Sequence, residues 1–332
     1  MKKILFIKRK SITGGEAYEN MLVETLRKKY YVDLFEIDTQ NTLDAKKSFF
    51  RLVSRLLPRL RCLLQVNSKL RDYDLVIEDF FVKALSFRRA KKRIVIVHHF
   101  DNTFLLHQKL YNLLEKIFWF RMRHSPDVIV AVSDFWKKIF QAKGVKNIKV
   151  IYNSFDTINV SKEEIKKFKK KFDLEGKSIV YIGNCQEIKG VVESYKALAH
   201  LNVHLVTSGK QRIDLPAKNL DLTKAEYYTL LAASSIVITM SKFNEGWCRT
   251  AHEAMLLGKP VIGSGRGGMQ ELLHAGHQTV CSSFDDLESL TSRLLNNRLL
   301  RKKQGLAGFK YASKFTKEMF QKEWFKLIED LT

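Results

Sequence analysis

Glu245 and Glu253 stand eight positions apart, on either side of the run Gly246-Trp247-Cys248-Arg249-Thr250. That run opens a helical pattern ending at Gly258, and Pro260 then leads into the apolar pair Val261-Ile262. Backbone N–H groups free at such a helix start, predicted near Gly246 to Cys248, can hold a diphosphate. A carboxylate on each side can accept hydrogen bonds from vicinal hydroxyls. A nucleotide sugar presents its groups in that order: sugar hydroxyls, diphosphate, ribose hydroxyls.

Three weaker constellations accompany this one. Thr13-Gly14-Gly15-Glu16 lies between an apolar run and a helical pattern, where glycines admit a phosphate close to the backbone or simply make a tight turn. Ile94-Val95-Ile96-Val97 runs into His98-His99. The carboxyl end of a buried strand faces the ligand crevice of an open α/β sheet, but adjacent residues of an extended chain point to opposite faces. His98, directly after the apolar residues, is preferred over His99 for polar work, with a structural histidine as the plainer alternative for either. Gly183-Asn184 leaves the run Ile179 to Ile182 and reaches Lys189-Gly190, where the lysine could meet a phosphate as a point charge or be an ordinary surface residue. Asp72-Tyr73-Asp74 has the letters of a metal-binding D-x-D, yet it precedes a strand, opposite the ligand end. The cysteines Cys62, Cys185, Cys248 and Cys281 show neither zinc nor disulfide spacing.

Strands and helices in alternation must position these groups. Ile4 to Ile7, Val32 to Phe35, Leu75 to Ile77, Ile94 to Val97, Val128 to Val132 and Val150 to Tyr152 read as buried strands with helices such as Ala17 to Lys28 between them. The pattern restarts with Ile179 to Ile182, Val203 to Val206, Ile236 to Thr239 and Val261 to Ile262, with helices over Glu193 to Leu201 and Lys224 to Ala233. This is an α/β protein of two doubly wound domains, joined within the polar stretch Asn153 to Lys170.

The 332 residues carry 58 Lys and Arg against 35 Asp and Glu, a net charge of +23. The first 150 residues hold +16 of it, and Lys46 to Arg71 contains eight basic residues and no acid among interleaved Leu and Phe. That stretch is either a crossover helix with a solvated basic face or a surface that docks on anionic lipid. No stretch approaches the roughly 18 apolar residues of a membrane span, and the apolar run at the start is too short for a signal peptide. Charge alone also suits a nucleic-acid binder, but no nucleic-acid module supports one.

The E-x7-E pattern from Glu245 to Glu253, followed by Ala254-Met255 and Gly258-Lys259-Pro260-Val261, resembles family 4 of the retaining GT-B glycosyltransferases. Val132-Ser133-Asp134, Val150 to Asp156 and Gly267-Gly268-Met269-Gln270-Glu271 add to the resemblance, the last looking like the family's glycine-rich loop after the last core strand. It implies two Rossmann-like domains facing a cleft. These are an acceptor-side domain over 1–155, a nucleotide-sugar domain over 156–312, and a C-terminal helix over 313–332 that packs back on the first domain. By position, Glu253 would hold the ribose and Glu245 the donor sugar. Gly246, Trp247, Cys248, Arg249 and Thr250 would hold the phosphates, and Lys189 the leaving diphosphate, with Gly14, Gly15, Gly183 and Asn184 lining the donor. His98 would sit beside the sugar, and His99, Asp101, Arg51 and Arg55 on the acceptor side. Asn184 replaces the family's usual Arg, which leaves neutralisation to Lys189, alone or with Arg249 or Arg266.

The resemblance further implies retaining, metal-independent transfer, with no cofactor beyond the nucleotide-sugar co-substrate. The basic N-terminal half adds a lipid-linked or glycan acceptor at an anionic membrane, on the cytoplasmic face, with no nucleic-acid partner. A catalytically weak assembly partner of the same fold is the competing function, and a basic nucleic-acid-binding protein a more distant one.

Overall fold

A computed structural model describes residues 1–10, 14–38, 70–79, 90–99, 116, 118–124 and 126–332. The chain divides into two compact units, one formed by Met1–Ser154 with Lys317–Thr332 and the other by Phe155–Thr316.

The first unit is a parallel sheet in the order β2-β1-β3-β4-β5-β6. Its strands are β1 (Lys3–Lys10), β2 (Tyr31–Asp38), β3 (Leu75–Asp79), β4 (Arg93–Val97), β5 (Val128–Ala131) and β6 (Ile148–Val150). Every residue of β3, β4 and β5 is buried, which explains their unbroken apolar runs: a parallel sheet is covered on both faces. β6 ends at Val150, so the chain from Ile151 that resembled a strand is already leaving the sheet.

Helix α1 (Gly14–Arg27) follows β1 and buries Tyr18, Leu22, Val23 and Leu26. A second helix, α2 (Asp134–Ala142), buries Trp136 and Phe140. The C-terminal helix, here α10 (Lys317–Leu331), buries Phe320, Trp324, Leu327 and Ile328, a spacing that places all four on one face. Trp324 is fully buried, and its indole N–H donates to the Tyr18 hydroxyl at 3.2 Å. That hydroxyl donates in turn to the Ile151 carbonyl at 3.1 Å.

The second unit is also a parallel sheet, in the order β12-β11-β10-β7-β8-β9. Its strands are β7 (Ser178–Asn184), β8 (Val203–Ser208), β9 (Lys218–Leu220), β10 (Ile236–Thr239), β11 (Val261–Gly263) and β12 (Thr279–Val280). Between them lie α3 (Lys162–Lys171), α4 (Val191–Leu198), α5 (Lys224–Ala233), α6 (Arg249–Leu256), α7 (Met269–Ala275), α8 (Leu287–Asn296) and α9 (Arg298–Ala312). The edge strands β9 and β12, of three and two residues, are too short to leave a periodic signal. With β12 present, the glycine-rich turn before α7 is followed by one more strand and does not close the sheet. Part of the polar stretch read as a junction is α3, whose Ser161 and Glu164 cap each other's backbone N–H groups.

Replacing Trp324 by Ala removes a core aromatic and strands the Tyr18 hydroxyl. Urea unfolding of the first unit should lose about 3–5 kcal/mol. A loss below about 1 kcal/mol would mean that α10 does not belong to that core.

Candidate functional site

Renumbered within its own unit, the second sheet has the strand order 3-2-1-4-5-6, and the order reverses between β7 and β10. Right-handed connections place the helices that follow these two strands on opposite faces of the sheet, so a crevice opens at their carboxyl ends. Gly183 and Asn184 end β7, and the turn Glu187–Lys189 follows them. After β10 the chain runs from Ser241 through Glu245 into α6.

The Lys189 ammonium donates to Glu245 Oε1 at 2.7 Å. The Ser241 hydroxyl donates to the same oxygen at 2.6 Å. Lys189 also lies 4.7 Å from the centre of the Phe243 ring, so an aromatic face and a carboxylate fix where its charge sits. Glu245 is itself held through its backbone. Its N–H donates to the Arg266 carbonyl at 3.2 Å, and its carbonyl accepts from the Gly268 N–H at 2.8 Å. Gly267, at φ 69°, makes this bridge possible, since a Cβ there would come within 2.3 Å of the Glu245 oxygen. The Arg266 guanidinium donates to the Lys242 carbonyl at 2.6 Å.

Helix α6 begins at Arg249, with Cys248 as its N-cap, just after the predicted start. Glu253 lies one turn in and does not flank the helix terminus. Burial raises its carboxyl, opposed by Arg249, whose guanidinium approaches Glu253 Oε1 at 3.4 Å. The Tyr227 hydroxyl donates to Thr250 Oγ1 at 3.1 Å. Trp247 and Cys248 are buried, and burial pushes the Cys248 thiol up to about 12. Their side chains therefore belong to the interior, and what they can offer an anion is backbone N–H.

Beneath the helix start, His252 stacks on Phe155 with ring centres 3.8 Å apart and planes within 8°. The Arg249 guanidinium lies over the same Phe155 ring at 4.4 Å. Trp247 donates its indole N–H to His252 Nδ1 at 3.1 Å, so the imidazole is neutral there and its proton sits on Nε2, 3.2 Å from the Ala312 carbonyl. Burial pushes this histidine down to about 3. At the end of β7, Asn184 Oδ1 accepts from the Tyr181 hydroxyl at 2.8 Å, and Ser208 Oγ lies 2.8 Å from that hydroxyl. Asn184 is thus fixed by buried partners.

In the first unit, His98 follows β4, with Nε2 3.2 Å from Glu19 Oε1 on α1. Gly15 lies against its ring, where a Cβ would sit 3.0 Å from Cδ2. Gly14 and Gly15, read as a turn, are the first residues of α1, and Gly15 is a neighbour of His98. His99 is half-buried. Arg51, Arg55, Asp101 and all but the last two residues of the basic stretch 46–71 lie outside the described residues. Asp74 accepts from the Lys3 N–H at 3.0 Å and pairs with Lys91 at 3.1 Å, structural tasks at the amino end of β3. Among the described residues no three His, Cys, Asp or Glu side chains are grouped as a metal ion would need. The partners that the linear pattern did not single out are Ser241, Tyr181, Ser208, Phe155 and His252. His252 and Phe155 lie within stretches quoted for the resemblance and Tyr181 and Ser241 at the edges of the candidate loops, but none of them, nor Ser208, has a spacing that marks its own role.

Residues 12–158 match the model of Glycosyltransferase Family 4, and residues 162–311 that of Glycosyl transferases group 1. Among solved structures, the chain is similar to Alr3699/HepE of Anabaena in complex with UDP and glucose, at 19% identity over 100% of both chains and a TM-score of 0.78. It is also similar to sucrose-phosphate synthase of Thermosynechococcus elongatus, at 15% identity over 99% of both chains and 0.78. A third is WaaG, a glycosyltransferase involved in lipopolysaccharide biosynthesis, at 12% identity over 98% of this chain and 99% of that one, and 0.71. At these identities the likeness is one of fold, the GT-B fold. Among curated proteins none matches in sequence.

The neutral His252 makes a pH prediction. Its folded value lies below the unfolded one of about 6.5, so its contribution to stability is present above that pH and lost as pH falls toward about 3. Between those limits the proton costs up to about 1.4 kcal/mol per pH unit. His252→Gln should flatten the acid limb of unfolding free energy against pH by that slope. An unchanged limb would contradict the neutral, buried assignment.

Proposed function

Because the chain belongs to the GT-B glycosyltransferases, we propose that it moves a sugar, with retention at the anomeric carbon, from a nucleoside diphosphate donor to a lipid-linked or glycan acceptor at an anionic membrane. The observation that carries this is the Lys189–Glu245 pair, 2.7 Å apart at the point where the strand order reverses.

In the reaction the bond from the anomeric carbon to the diphosphate oxygen breaks, and its electron pair stays with the diphosphate. The acceptor oxygen bonds to the anomeric carbon, and its proton passes to the base the step generates, the departing phosphate. Lys189 meets that growing charge, which is where a fixed cation lowers a barrier most. Arg249, at the first turn of α6 and steadied by Phe155, supplies the second cation that Asn184 does not. Glu245, released from Lys189 by the incoming diphosphate, accepts from the donor sugar's hydroxyls. Glu253 accepts from the ribose, and the N–H groups from Gly246 to Thr250 hold the phosphates, with the Gly183-Asn184 turn beside them. His98 and Gly14-Gly15 at the start of α1 serve the sugar, with His99, Asp101, Arg51 and Arg55 on the acceptor side. A UDP-sugar is the first donor to test, since HepE was solved with UDP-glucose.

Purified protein incubated with UDP-, GDP- and ADP-sugars should release nucleoside diphosphate from one of them by slow hydrolysis, undiminished by EDTA. Lys189→Ala should lower kcat about 100-fold and raise KM by much less, and Arg249→Gln should act in the same direction. Glu253→Gln should act mainly through KM. Binding of a nucleotide sugar without turnover would favour the assembly-partner reading. An unaltered kcat in Lys189→Ala would remove its role.

A further inference from the structure

Helix α9 (Arg298–Ala312) has one face turned inward and another that the fold leaves outside. Gly305, Gly308 and Ala312 are buried, and Gly305 lies so close to Gly258 that a Cβ would come within 2.1 Å of its carbonyl oxygen. At about 100° per residue, Leu299, Lys303, Leu306 and Lys310 form a strip on the far side, with Lys302 and Phe309 along its edge. Leu299 is 80% exposed, Leu306 69% and Phe309 47%. Arg298, Lys302, Lys303 and Lys310 are exposed as well.

A single exposed leucine needs no explanation. Three large apolar side chains on one helix face, interleaved with four cations, are a different matter, because no carboxylate accompanies them. From Ser289 to Thr316 the chain has seven Lys and Arg and no Asp or Glu. Arg301 is set apart, since its guanidinium donates to the Leu294 carbonyl at 2.6 Å and so closes α8. The apolar strip also continues beyond the helix. Phe309 forms one wall of a groove of about 600 Å³ that Ile158, Val160, Leu256 and Leu257 line as well, with Glu164 and Lys259 also in its lining, so the acid-free character belongs to the α9 strip and not to the groove.

We infer that this face of α9 docks the protein on an anionic lipid bilayer, with Leu299, Leu306 and Phe309 entering the acyl boundary and Arg298, Lys302, Lys303 and Lys310 meeting lipid phosphates. A fluid anionic surface is the partner that suits such a face. Long cationic side chains can bury their stems while their heads stay at the headgroups, and an acid-free strip meets no repulsion there. This gives the membrane part of the proposed function a definite surface and rests on that part alone. Nucleotide chemistry at Lys189 does not depend on it.

The test is co-sedimentation of the full chain with vesicles of phosphatidylcholine containing 0, 20 or 40% phosphatidylglycerol, alongside UDP-sugar binding by the same preparations; these compositions are chosen as roughly bracketing the anionic fraction over which surface attraction changes. Binding should rise with anionic lipid and weaken with salt. It should fall at least about tenfold in the variant L299S/L306S/F309S, and likewise in R298Q/K302Q/K303Q/K310Q, which leaves the apolar contacts untouched and guards against misfolding of the first. Nucleotide binding should be unchanged in both. Equal vesicle binding by wild type and both variants would overturn the assignment to α9. So would absence of vesicle binding by the wild type, or retention of the face's binding only by duplex RNA. In each case intact nucleotide binding would leave the transferase reading standing.

Discussion

Lys189 and Glu245 are 56 residues apart in the chain and 2.7 Å apart in space because β7 and β10 lie side by side while their chains leave toward opposite edges of the sheet. A half-exposed ammonium and a largely buried carboxylate make that contact stable. Glu245 is taken out of water by the bridge to Gly267, and Lys189 and Ser241 offset the cost. Removal of the lysine would leave a buried charge without its cation, so the pair is sensitive to loss of either partner. Under the proposed reaction, an incoming diphosphate, with more charge than one carboxylate, would compete for the same ammonium, and donor binding would free the carboxylate for hydroxyls.

The surroundings hold this arrangement by burial more than by charge. Cys248, Tyr227 and Glu253 are all raised by burial, and His252 is lowered by it, so the ground beneath α6 is a low-dielectric floor. Such a floor strengthens any electrostatic contact made above it. It also disfavours ionised Glu253 in the folded protein, a cost to stability of the kind that binding sites carry. Phe155, between His252 and the Arg249 guanidinium, ties the helix start to the place where the chain enters this unit.

Much of this was legible in the linear chain. Continuous apolar runs at β3, β4 and β7 mark strands buried on both faces, and α5 occupies the residues its periodicity predicts, Lys224–Ala233. Glu245 and Glu253 stand out as candidates because their type and spacing have a chemical meaning, whereas Lys189, open to reading as a surface lysine, gains its role only from the family resemblance. Strands of two or three residues, β9 and β12, give no period to read. The start of α6 fell slightly late because Cys248 caps without a side-chain hydrogen bond and so lacks a sequence signature. The tether on His98 was not legible, because Glu19 lies 79 residues away and only the sheet brings it near. Asn184 looked like a loss. Its bond to Tyr181 shows a residue integrated into the end of β7.

The proposed chemistry requires Lys189 to meet the phosphates of a bound nucleotide. Calorimetric titration of wild type and Lys189→Ala with the nucleoside diphosphate that binds best, and with its parent nucleoside as control, addresses this directly. Loss of one charged contact to a diphosphate should weaken the diphosphate about tenfold or more, with the nucleoside unaffected. Equal affinity of the two proteins for the diphosphate would contradict the account.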